Sequence, residues 1–79
     1  MVRLDNMTVS NGNASCRFYP EDSEQYGTLV IDISSGELVK YTKPENGCSN
    51  VYIAHARSKL HALILDNKEL PDEAFSIWY

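Results

Sequence analysis

The stretch MTVSNGNASCRF, residues 7–18, places Asn11-Gly12 between two runs of alternating apolar and polar residues. A two-residue type I′ turn needs positive φ at both central positions, and Asn-Gly meets that need at the least steric cost, so the stretch predicts a β-hairpin. Pairing outward from the turn sets Val9 opposite Ala14 and Met7 opposite Cys16. Because side chains alternate across a strand, Met7, Val9, Ala14, Cys16 and Phe18 share one face and Thr8, Ser15 and Arg17 the other. The apolar set is the predicted core face. Val2 and Leu4 fall out of phase with Met7 and Val9, which predicts a bulge or bend near Asp5-Asn6.

The stretch GTLVIDISSGELVKYT, residues 27–42, reads as a second hairpin. A three-residue loop, Ser34-Ser35-Gly36, with glycine in the left-handed position pairs Ile33 with Glu37, Ile31 with Val39 and Leu29 with Tyr41. Leu29, Ile31, Val39 and Tyr41 then face inward, while Thr28, Val30, Asp32, Leu38 and Lys40 face out. Pro44 and Gly47 interrupt the pattern, and a helix follows. Ser49 or Asn50 can cap it, and it should extend to about Asn67, ahead of Pro71. At 100° per residue, Ile53, Ala56, Leu60, Leu63 and Ile64 form one stripe, predicted to pack on the sheet. The tail EAFSIWY has strand-like alternation and is expected to dock on a sheet edge, with Ile77 and at least one of Phe75 and Trp78 packed. The fold class is therefore α+β: an antiparallel four- to five-stranded sheet built from two hairpins, with one α-helix packed on one face, as a single domain over residues 1–79.

Composition narrows the function. A chain of 79 residues with 43% hydrophobic and 23% charged residues is neither disordered nor membrane-spanning. A formal charge of −4, with seven basic residues scattered along the chain, opposes nucleic-acid binding, which draws its affinity from Lys and Arg on phosphates. The start, MVRLDNMTVS, has no secretion-signal pattern, so a cytoplasmic location is expected, without membrane association. In that setting Cys16 and Cys48 are expected to remain reduced.

Cys48, His55 and His61 lie in or beside the helix and invite a catalytic or metal-binding reading. The histidines are six residues apart, a rotation of about 600°, so their rings leave the helix on different sides and cannot share a metal. Cys48 precedes the helix where a thiol pKa can fall, but His55 is two turns away, about 10 Å, too far for a direct hydrogen bond. The isolated glycines form no phosphate-cradling loop, and the acids lie in loops as solvated charge. No catalytic, cofactor-binding or metal-binding residue is assigned, and no cofactor is expected.

Function then rests on surfaces. The expected role is a small acidic, non-enzymatic protein-interaction module, an inhibitor or adaptor, whose protein partner the residues do not identify. The alternative is a sponge-like homo-oligomer that binds a small ligand in a pocket at the subunit interface. Ala54, Ser58 and Ala62 recur at four-residue spacing and make a ridge of small side chains away from the sheet, flanked by Val51 and Leu65. Helices pack closely through such ridges, so this face is the predicted contact of a homodimer. Trp78 and Tyr79 are further interface candidates, as aromatic anchors at the chain's end.

Overall fold

The computed structural model describes residues 1–66 and 69–78. Strand β1 (Val2–Ser10) turns through Asn11-Gly12 into β2 (Asn13–Pro20), which is followed by β3 (Gly27–Asp32), β4 (Leu38–Thr42), helix α1 (Asn50–Asp66) and β5 (Glu73–Ser76). The strands form one antiparallel sheet in the order β4-β3-β2-β1-β5, with α1 packed across one face. This is the α+β architecture that the two hairpin signals and the helical stripe imply.

The first turn has φ 53° at Asn11 and 80° at Gly12, both positive as a type I′ turn demands. Val9 pairs with Ala14 and Thr8 with Ser15, where the two hydroxyls share a hydrogen bond of 2.8 Å on the face away from α1. The register then shifts between Asp5 and Thr8, so that Asn6 and Met7 together oppose Cys16. Asn6 takes the extra residue's strain at φ 51°, and the added residue brings Val2 and Leu4 onto the core face, where both are fully buried.

One member of the predicted core is corrected. Val9 is 54% exposed although its cross-strand partner Ala14 is buried. The reason is the length of β5, which pairs only with Val2–Asp5 and leaves the outer side of β1 open beyond the bulge. Met7, inside the bulge, is half-buried against the core, while Cys16 and Phe18 are buried as their register requires.

The second hairpin differs more. Its closing pair is Asp32 and Glu37, with the Asp32 amide donating to the Glu37 carbonyl at 2.9 Å and the Gly36 amide to the Asp32 carbonyl at 2.7 Å, so the loop is one residue longer than predicted. Asp32 sets this turn: one carboxylate oxygen accepts from the Ser34 hydroxyl at 2.6 Å and from the Ser34 and Ser35 amides at 2.9 and 3.3 Å. A bulge between Val30 and Ile31 absorbs the added residue. Leu29 still pairs with Tyr41, but Ile31 pairs with Leu38 instead of Val39. Leu38 therefore packs toward the core and Val39 lies exposed, the reverse of the expected facing. Tyr41, expected inside, is also exposed.

The Ser34 hydroxyl, followed by the Ser35 and Ser34 amides, holds the Asp32 carboxyl below its usual range. The turn's stabilisation is thus present above the ordinary aspartate pKa and is lost as pH falls through the lowered one. An NMR titration of Asp32 should show its midpoint below that of an unstructured aspartate, and Ser34→Ala should move it upward.

Ser49 caps α1, its hydroxyl accepting from the Val51 amide at 3.3 Å. The predicted end at Asn67 lies outside the described residues. Ile53, Ala56 and Leu60 are buried against Val2, Leu4, Cys16, Phe18, Leu29 and Ile31, and Ile64 packs at the margin. No helix among the described residues is long and apolar enough to cross a membrane.

Candidate interaction surface

Cys48, His55 and His61 do not converge. The His55 ring stacks on Trp78, with centroids 3.8 Å apart and planes within 1° of parallel. The His61 ring lies on the other flank of α1, its Nε2 3.1 Å from the Ile33 carbonyl oxygen and its edge over Gly36. Burial pushes the Cys48 thiol up, against a smaller lowering by Lys43. Cys16 is pushed up to about 12 by burial and by the Asp5 charge. Both cysteines are free, and among the described residues no three His, Cys, Asp or Glu side chains come together in a metal-binding group.

The ridge lies where the helical spacing puts it. Ala54, Ser58 and Ala62 are exposed on the outward face of α1, flanked by Val51 at 41% and Leu65 at 67% exposure. From Asn50 round through Ser58 to His55, about 140° of the helix circumference carries no Asp, Glu, Lys or Arg. A solvated helix face is ordinarily charged, and this one is not.

Ala54 also belongs to a second feature that the sequence did not disclose. Between β4 and α1 runs an open groove of about 300 Å³, lined by Leu38, Tyr41, Asn50, Ile53, Ala54 and Arg57. It exists because α1 approaches β1, β2, β3 and β5 and leaves β4 at the margin, where Leu38 is half-buried and Val39–Thr42 are exposed. On the groove's wall, Arg57 donates from Nη1 to the Gly36 carbonyl at 3.0 Å. No carboxylate among the described residues pairs with it.

The chain's end behaves differently from the ridge. Leu4 pairs with Ala74 and Arg3 with Phe75, so Ala74 and Ser76 point to the helix side, and Trp78, two residues on, folds onto α1. Trp78 packs between the His55 face and the Tyr52 edge, the latter at 5.7 Å between centroids. Ile77 has the opposite parity and is 67% exposed, a correction to its expected packing. Tyr79 lies outside the described residues. Trp78→Ala should cost about 1–2 kcal/mol in urea unfolding through lost stacking and burial; an unchanged midpoint would mark Trp78 as an anchor held for a partner.

The face away from α1 has its own network. Arg17 Nε donates to Asp5 at 2.8 Å, and Arg3 Nη1 lies 3.5 Å from Asp5 and 3.7 Å from Glu73. Arg3 sits 3.9 Å over the Tyr19 ring and Arg17 5.0 Å over Tyr26, and the two tyrosines are 5.4 Å apart. The hydrogen bond to Asp5 holds the Arg17 guanidinium above its usual range. Arg3 and Arg17 are thus engaged within the sheet, in contrast to Arg57 across the molecule, which meets no carboxylate among the described residues.

Compared with known proteins, the chain matches no family model, no curated protein and no solved structure.

Proposed function

We propose that the chain is a non-enzymatic protein-interaction module that docks through the outward face of α1 and the adjoining groove. The observation that carries this reading is the uncharged arc of α1 holding exposed Val51 and Leu65, continuous through Ala54 with the apolar lining of the groove. Interfaces are distinguished by depletion of charge at their centres, and this side has that character within a chain of net charge −4. His55 supports the reading as well, since its ring is occupied by Trp78 instead of being presented to a substrate. A photo-crosslinking residue at Ser58 should capture a discrete partner from the native cell, while one at Thr28, on the opposite face, should not. Equal products at both positions, or none at Ser58, would remove the proposal.

The small-residue ridge favours a second reading, in which the partner is another copy across a two-fold axis. In that case the protein scatters light as a dimer and Ala62→Arg, which sets a large cation against its own copy, scatters as a monomer at the same concentration. A dimer unchanged by Ala62→Arg would place the self-contact elsewhere.

A further inference from the structure

We infer that the β4–α1 groove seats an amphipathic α-helix of a partner protein, with apolar side chains on Leu38, Tyr41, Ile53 and Ala54 and a carboxylate on Arg57. The inference rests on the interaction reading above and names the partner's chemistry.

Five strands spaced about 4.8 Å apart span about 19 Å, whereas one helix is about 10 Å wide. A single helix centred over β1 and β2 reaches β3 and β5 on its flanks but not the far margin, where β4 lies uncovered. A second helix at the usual interaxial distance of about 8–10 Å would lie over β4, with Ala54 giving it close approach to α1.

An added strand is a poorer fit than a helix. Strand addition requires a regular outer backbone, and β4 is five residues long, bulged at Val39, carries Lys40 and is followed by Pro44. Those are the features that block edge pairing. What β4 offers instead is side chains, Leu38 and Tyr41, turned to the helix layer.

Arg57 stands on the wall of an apolar groove with only the Gly36 carbonyl as its described partner, while the other arginines are ion-paired. A carboxylate supplied from outside completes it, and in a partly desolvated groove a charge-assisted pair discriminates strongly. The recognised helix is therefore acidic along the rim that meets Arg57.

The test uses the whole chain and two synthetic amphipathic helical peptides with identical Leu/Ala faces, one with Glu along the rim and one with Lys. In NMR titration the Glu peptide should shift Leu38, Tyr41, Ala54 and Arg57 and bind about tenfold more tightly than the Lys peptide, the worth of one good ion pair. Arg57→Gln, which keeps a donor for the Gly36 carbonyl, should erase the preference, and Arg57→Glu should reverse it. Equal binding of both peptides, shifts centred elsewhere, or no shift at millimolar peptide would overturn the inference. So would groove signals that respond to the protein's own concentration, because the occupant would then be a second copy. Specific crosslinking at Ser58 together with peptides that fail to discriminate would sink the acidic helix and leave the interaction reading standing.

Discussion

Replacing Phe18 with alanine is expected to destabilise the domain by about 3–5 kcal/mol. Phe18 lies on β2, the central strand, fully buried, with Leu4 opposite on β1 and Gly27 opposite on β3. The absent side chain on Gly27 is the space that the phenyl ring fills, so no larger neighbour stands ready to collapse into the cavity. Domains hold about 0.05–0.15 kcal/mol per residue, or about 4–12 kcal/mol for a chain of this length, so the loss is a large fraction of the whole. Val9→Ala, on the same predicted face but exposed, should cost less than about 1 kcal/mol. Urea unfolding of both variants measures the contrast, and a Phe18→Ala loss below that of Val9→Ala would contradict the register of the first hairpin.

That contrast also shows where sequence reasoning reaches and where it stops. Asn11-Gly12 specifies its turn through local backbone sterics, and the alternation on either side then assigns Ala14, Cys16, Phe18 and Arg17 to their faces without any knowledge of the rest of the chain. Val9 obeys the same alternation, yet its exposure depends on how far β5, some 65 residues later, extends along β1. Alternation reports the side a residue points to, and only the neighbouring element decides whether that side is covered.

The second hairpin fails for a local reason instead. Ser34-Ser35-Gly36 suits a three-residue loop, but Asp32 competes by capturing the Ser34 and Ser35 amides, and the bulge at Val39 repairs the register for Leu29 and Tyr41. One such bulge exchanges Leu38 for Val39 and creates half of the groove. Consequently the ridge of Ala54, Ser58 and Ala62 was legible from helical spacing, whereas the groove beside it was not. The Arg3, Asp5 and Arg17 network escaped for the same kind of reason, because the bulge at Asn6 breaks the count between Asp5 and Arg17.

Gly27→Ala should destabilise the chain by about 1–3 kcal/mol, at the upper end because one of the obstacles is backbone. The glycine is required by close approach, not by its φ: a Cβ there would meet the Phe18 ring at 2.6 Å and the Thr42 carbonyl oxygen closer still. The ring can tilt, but the carbonyl can retreat only if β4 moves away from β3, whose end is tied to it by the Thr28 and Thr42 hydroxyls at 2.8 Å. The two obstacles separate in a double-mutant cycle. If the ring dominates, Phe18→Leu relieves Gly27→Ala and the losses fall short of additive; if the carbonyl dominates, they add, and amide exchange accelerates across Leu38–Thr42. The second outcome is the expected one. It carries a consequence for function, because a loosened β4 withdraws Leu38 and Tyr41 from the groove. Gly27→Ala should then weaken binding of the acid-rimmed helix without touching any residue that contacts it, whereas unchanged exchange in β4 with a loss below about 0.5 kcal/mol would show that the sheet absorbs the methyl group and that Gly27 does not hold β4 in place.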